Sequence, residues 1–179
     1  MDMQKNKIFG TPKAPPLSER ELEFLLNEGE GYNLEFKESD SSDLAKEICA
    51  FANATGGKIL VGVSDKSEIK GVNITNRLKS QITDIARNFD PKLEVSLEEV
   101  GNILVINVPE GKNKPYSVNG KFFMRYGPNS QQLGRDEIRE LFHKEGLIKF
   151  DVKPNSTFQI NNDLSQKAYD TFLRLTKIS

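Results

Sequence analysis

Residues 43–63 read DLAKEICAFANATGGKILVGV, and the change of period within this stretch decides the fold. From Asp43 to Ala54 the apolar residues Leu44, Ile48, Phe51 and Ala52 recur at helical spacing, which predicts a helix with that face in the core. Gly56-Gly57 ends it, because glycine accepts the positive φ needed to turn a helix end straight back into a sheet. Lys58 to Val63 is then almost wholly apolar, as a central strand is. The single cysteine, Cys49, falls on the apolar face of the helix and reads as a core residue.

Working outward, Tyr32 to Lys37 alternates Tyr32, Leu34 and Phe36 with Asn33, Glu35 and Lys37, a strand with one polar face. Before it, Ser18-Glu19-Arg20-Glu21 matches a capping box, with Leu22, Leu25 and Leu26 on one helix face and Gly29 as the stop. After the central strand, Ser64 to Lys70 reads as a tight polar turn and short return strand. Thr75 to Asn88 predicts a second amphipathic helix with Leu78, Ile82, Ile85 and Ala86 inward. Leu93–Val100 and Ile103–Val108 form a hairpin about Gly101-Asn102. Tyr116–Val118 and Lys121–Met124 form another about Asn119-Gly120, a strong hairpin signal. Arg135 to Lys144 predicts a last core helix through Ile138, Leu141 and Phe142. The order fits an α+β fold, a mixed sheet with helices packed on it.

At 179 residues the chain is one domain with appendages. Residues 1–17 hold Lys5, Lys7, Lys13 and three prolines without periodicity and read as a flexible arm. Residues 18–145 form the domain. Residues 146–179 are an extension, helical around Leu164 to Leu175, that reads as the start of a further region. No apolar run approaches the ~20 residues that span a bilayer, and no signal peptide is present, so the expected compartment is the cytoplasm. One cysteine and one histidine, His143, are too few for the usual zinc sites, and His143 reads as structural.

The net charge of −1 implies no partner, but its distribution is uneven. Residues 18–57 carry three basic and ten acidic side chains, and residues 58–92 carry seven basic and four acidic. Residues 111–125 hold Lys112, Lys114, Lys121 and Arg125 with no acid. A nucleic-acid partner therefore needs a local patch.

Three segments occur in order: Glu30-Gly-Tyr-Asn-Leu-Glu35-Phe36-Lys37-Glu38, Ala50-Phe51-Ala52-Asn53-Ala54-Thr55-Gly56-Gly57, and Leu60-Val61-Gly62-Val63-Ser64-Asp65. With Phe123-Met124-Arg125-Tyr126-Gly127 they resemble the Schlafen Alba-type domain of transcriptional regulators and animal Schlafen proteins, over roughly residues 18–145. The resemblance implies that fold and a nucleic-acid-binding role. Such domains have also been described as divergent AAA-type ATPases, but Gly57-Lys58-Ile59 lacks the Ser or Thr that holds magnesium. The glycine pair also leads from helix to strand, whereas a phosphate loop leads from strand to helix, so no P-loop nucleotide is expected. Asn53 is read as capping the turn at Gly56-Gly57, with a ligand contact as the other option.

Glu30 and Glu35 flank the entry to one strand, and Asp65 lies just past the end of a strand expected beside it. If the strands pair, three carboxylates converge, an all-oxygen set suited to Mg²⁺ or Mn²⁺. In Schlafen proteins with ribonuclease activity a Glu, a Glu five residues on and a later Asp form the metal-binding catalytic set. The resemblance places Glu30, Glu35 and Asp65 in those positions and implies metal-dependent endoribonuclease activity. A solvated acidic face is the alternative, since Glu28, Glu38 and Asp40 make the region acid-rich in any case.

For nucleic-acid contact the sequence offers Lys37, Lys112, Lys114, Lys121 and Arg125. Lys37 binds phosphate or pairs with Glu35, and Arg125 forks onto phosphate or forms a salt bridge. Phe122 and Phe123 point to opposite faces, one for the core and one for stacking on a base. The competing class is a regulatory or protein-interaction module without nucleic-acid chemistry. A single Alba-type lobe, where animal Schlafens resemble two lobes clamping RNA, implies a homodimer.

Overall fold

A computed structural model describes residues 17–39, 43–148, 157 and 159–176. The predicted arm, residues 1–17, therefore lies outside the described residues except for Leu17. Helix α1 (Glu19–Glu28) starts on the capping box read from the sequence: the Glu21 amide donates to Ser18 Oγ at 3.3 Å, and the Glu21 carboxylate accepts from the Ser18 amide at 2.8 Å. Strand β1 (Leu34–Lys37) follows, then α2 (Leu44–Asn53) and β2 (Gly57–Val61). β1 and β2 pair in parallel with Leu34 opposite Lys58 and Lys37 opposite Val61, and α2 is the crossover that parallel pairing requires.

Helix α3 (Asn76–Arg87) is capped by Thr75, whose Oγ1 accepts from the Leu78 amide at 3.1 Å. β3 (Ser96–Val100) and β4 (Ile103–Val108) form the predicted hairpin, and β4 pairs antiparallel with β2, giving the order β1-β2-β4-β3. The predicted strand from Leu93 begins later, at Ser96. Strands β5 (Phe123–Tyr126) and β6 (Asn129–Gln132) make a separate two-stranded sheet. Helices α4 (Arg135–Lys144), α5 (Ile160–Asp163) and α6 (Gln166–Thr176) complete the described chain.

The two-residue period of the strands divides the core. Ile59, Val61, Leu104, Ile106 and Val108 belong to a cluster with α2 and α3, while Leu34, Phe36, Leu60, Ile103 and Val105 form another with Leu22 of α1. The same alternation sends Glu35 and Lys37 of β1 to the α2 face. Gly57 can only be glycine there, because a Cβ would lie 2.7 Å from the Asn33 carbonyl and from the Phe51 ring. Phe51 is fully buried where α2 crosses the sheet.

The Asn119-Gly120 turn has positive φ at both residues, 51° and 71°, and Val118 bridges to Lys121 across it, as the sequence predicts. The strand that follows runs from Phe123 to Tyr126, not from Lys121 to Met124. Its partner β6 reads NSQQ. Without apolar alternation it gives no strand signal, and it exists because the turn at Gly127, with φ 59°, folds it onto β5.

Candidate functional site

Arg125 is the largest fully buried side chain among the described residues. It enters from β5 between α2 and the β1 edge of the sheet. Nη1 donates to Glu47 Oε2 and to Ser130 Oγ, each at 3.1 Å, and Nη2 donates to the carbonyls of Gly31 at 2.8 Å and Leu34 at 3.1 Å. Nη2 also lies 2.7 Å from Glu35 Oε2. Both Nη2 hydrogens are directed to the carbonyls, so this last contact is an ion pair without hydrogen-bond alignment. Glu35 Oε2 and Arg125 Nε are accordingly left without hydrogen-bond partners. The guanidinium carbon sits 4.7 Å from the centre of the Phe51 ring, a cation–π contact.

The acids around it are matched by cations. Lys37 Nζ bonds Glu35 Oε1 and lies 3.9 Å from Glu47 Oε1, and Lys46 lies 3.4 Å from Glu47 Oε1. Ser130 completes the knot by donating to Glu47 Oε2. Burial alone would lower the Lys37 ammonium, but its bond to Glu35 and the charges of Glu35, Glu47 and Glu30 outweigh this and hold its pKa above the ordinary lysine value. This arrangement corrects two expectations. Arg125 is closed off from any phosphate, because its guanidinium neutralises two buried carboxylates that would otherwise be uncompensated. Lys37 takes the pairing option and is committed to Glu35.

Glu47 was not among the residues singled out from the sequence, although a signal existed. An acid on the inward face of a helix, between Leu44, Ile48 and Phe51, requires a buried partner.

The three acids expected to share a metal stand in different environments. Glu35 is buried with a cation at each oxygen. Glu30 is half-buried, and its Oε1 accepts from the Phe36 amide at 3.0 Å. Its carboxyl is raised above the usual value, first by burial, against the Phe36 hydrogen bond, and further by the charges of Glu35 and Asp65. Asp65 is exposed in the turn after β2. The predicted neighbouring of the two strands is found, and the charges sense one another. However, among the described residues no group of three Asp, Glu, His or Cys side chains is placed to hold a metal ion. A cation at Glu35 would have to displace Lys37 and Arg125, so this donor set does not fit the metal as the side chains stand.

Asn53 does not cap the Gly56-Gly57 turn, and its amide is taken up inside the protein. Buried on α2, it donates through Nδ2 to the carbonyls of Tyr116 at 2.8 Å and Phe123 at 2.9 Å, and its Oδ1 accepts from the Tyr116 amide at 2.7 Å. It pins the whole 116–123 segment to the helix. Cys49 is buried as expected, its Sγ donating to the Tyr116 carbonyl at 3.3 Å, and burial pushes its thiol up to about 11.

The remaining lysines lie on or near this pinned segment. Lys112 and Lys121 are exposed, and among the described residues their side chains have no ion pair or hydrogen bond. Lys114 is not free: Nζ donates to the Ala54 carbonyl at 2.5 Å and to Glu110 at 2.7 Å. Tyr116 and Phe123 are in the core, and Phe122 packs edge-on against Phe142 at 5.9 Å, so the ring expected to stack on a base is partnered within the protein.

A parallel strand pair crossed by one buried helix, closed by an antiparallel hairpin and pinned by a glutamate–arginine knot, defines an α+β domain of Alba type. The chain belongs to the Schlafen, AlbA_2 family, whose model matches residues 30–134 and so takes in Glu30, Glu47, Asn53, Gly56-Gly57 and Arg125. Among solved structures it is similar to the DIP2311 protein from Corynebacterium diphtheriae, at 18% identity and a TM-score of 0.47 over 83% of this chain. It spans 31% of that protein. It is also similar to the N-terminal domain of an ATP-dependent DNA helicase RecG-related protein from Nitrosomonas europaea, at 21% identity and a TM-score of 0.41, over 64% of this chain and 92% of that one. No helix among the described residues is long and apolar enough to cross a membrane.

Proposed function

We propose that this chain is a nucleic-acid-binding domain that holds the sugar–phosphate backbone through Lys112 and Lys121. The observation that carries the reading is the contrast in pairing within residues 111–125. This stretch contains no acid, and after Lys114 and Arg125 have taken partners, Lys112 and Lys121 remain exposed and unpaired among the described residues. Cations that are free in the apo protein pay no cost of breaking an internal pair when they meet phosphate, and the counterions they displace make binding salt-dependent.

The test is fluorescence anisotropy of generic labelled oligonucleotides at low salt. Lys112→Glu with Lys121→Glu should weaken binding at least about tenfold, with an unchanged far-UV spectrum. Equal affinity of the double variant would remove these residues from the interface, and no salt-dependent binding by the unaltered chain would favour the interaction-module reading. Because the acid set does not fit a metal, Mn²⁺ and a chelator should give the same affinity, with the labelled RNA or DNA left uncut. The reading extends to a homodimer, a second copy supplying the lobe that one chain lacks around a bound nucleic acid. Light scattering at tens of micromolar should give the mass of two chains, plus that of one oligonucleotide when nucleic acid is bound.

A further inference from the structure

The exposed end of α3 carries cations that the 111–125 stretch does not account for. Arg87 and Lys92 are exposed, and like Lys112 and Lys121 their side chains have no ion pair or hydrogen bond among the described residues. Both line an open hollow of about 610 Å³, together with Asn88, Leu93, Asp84 and Glu94. This segment is tied to the lysine hairpin. The Asp90 amide donates to the Ser117 carbonyl at 3.0 Å, and the Ser117 amide donates back to the Asp90 carbonyl at 2.8 Å. Val118 then bridges to Lys121. A two-way backbone bridge thus joins the chain between Arg87 and Lys92 to the strand leading into the Asn119-Gly120 turn.

We propose that Arg87 and Lys92 form, with Lys121, one composite phosphate-tracking surface, and that the partner it fits is a nucleic-acid duplex held by its backbone. The proposal rests on the nucleic-acid reading above and adds to it both a second chain segment and a substrate class. The class follows from the aromatics. Binding to single strands draws on exposed rings that stack on bases, whereas Tyr116, Phe122 and Phe123 of this hairpin are all engaged within the protein, and the exposed Tyr126 beyond them is tethered through its hydroxyl, which donates to Glu137 at 3.4 Å. Flexible cations on two segments held by a fixed backbone bridge suit a regular array of phosphates, where contacts position the partner without reading sequence. Asp84 and Glu94 line the same hollow and disfavour a phosphate within it, so the contacts fall to the exposed cations beside them.

The experiment measures affinity for labelled DNA duplex, RNA duplex and single strands of equal length, across a salt series. Arg87→Glu with Lys92→Glu should weaken duplex binding at least about tenfold and make the slope of log affinity against log salt shallower by about two. Lys167→Glu with Arg174→Glu on α6, an equal change of net charge, should leave both nearly unchanged. The DNA and RNA arms identify which duplex is preferred. Unchanged duplex affinity in the Arg87/Lys92 variant, with loss in the Lys112/Lys121 variant, would overturn this inference and leave the proposed function standing. Tighter binding to single strands than to either duplex would overturn the substrate class. Loss in neither variant would overturn both.

Discussion

Lys121 and Arg125 lie four residues apart in one acid-free stretch and meet opposite fates. Lys121 stays exposed at a turn, with no partner for its side chain among the described residues. Arg125 is drawn fully into the protein and closed over by Glu35, Glu47, Ser130, Phe51 and two carbonyls. The comparison teaches that a local excess of basic residues does not identify a binding surface. What matters is where the acids are that could satisfy them. Glu35 and Glu47 come from β1 and α2, far earlier in the chain, and only the parallel strand pair and its crossover helix bring them to Arg125.

The sharpest way to break the comparison is to remove the buried cation. Arg125→Ala leaves two buried carboxylates facing Lys37 and Lys46 alone, and breaking one partner of a buried charge cluster costs about 3–5 kcal/mol. Urea denaturation should show a loss of that size, and the fraction that remains folded should bind oligonucleotides as well as the unaltered protein does. A stable Arg125→Ala protein that no longer bound nucleic acid would return Arg125 to the interface and undo the distinction.

The second prediction concerns what holds the exposed lysines in place. Asn53→Ala removes three buried hydrogen bonds to Tyr116 and Phe123 and leaves backbone groups unsatisfied in the core. An unsatisfied buried group costs about 1–3 kcal/mol, and a net loss of about 2–3 kcal/mol is expected, part of the strain being relieved by local movement. Hydrogen exchange should show the loss of protection concentrated in residues 116–123. If α2 and β2 lose protection equally, Asn53 supports the whole fold and not the hairpin in particular.

The legibility of these regions in the sequence differed for physical reasons. Helix–glycine–strand over residues 43–63 was readable because period, breaker and strand composition agree over all 21 residues. The Asn119-Gly120 turn was readable because its chemistry is local. β6 was not, since a polar four-residue strand is defined only by its partner. The role of Asn53 was missed because its three bonds reach residues 63 and 70 positions away, and the competing local role, a cap, was the natural expectation. The pairing of Arg125 was open between phosphate and carboxylate, and only burial decides between them. Glu47 carried the best neglected signal, an acid in an apolar helical face.

The smallest expected effect lies at the margin between the two regions, at Glu30. Its carboxylate is half-buried and accepts from the Phe36 amide, and its pKa stands above the usual 4.5 because burial and the charges of Glu35 and Asp65 outweigh that bond and Lys37. A raised carboxyl binds its proton more tightly in the folded chain than in the unfolded one. Its contribution to stability is therefore full below about 4.5 and is lost as the pH rises through the folded value. Glu30→Gln retains an oxygen to accept from Phe36 and carries no charge at any pH, so this component of the pH dependence should vanish. At neutral pH the variant should be as stable as the unaltered protein or slightly more so, by less than about 1 kcal/mol because solvent screens a half-exposed group. Urea midpoints at pH 4.5 and 7.5 decide the matter: the difference between them should shrink in the variant. A variant less stable at pH 7.5 than the unaltered protein would mean that the ionised Glu30 is held by a favourable partner, with Lys37 reaching across from Glu35 as the first candidate, and the separation between a neutralised interior and an unneutralised edge would then have to be redrawn.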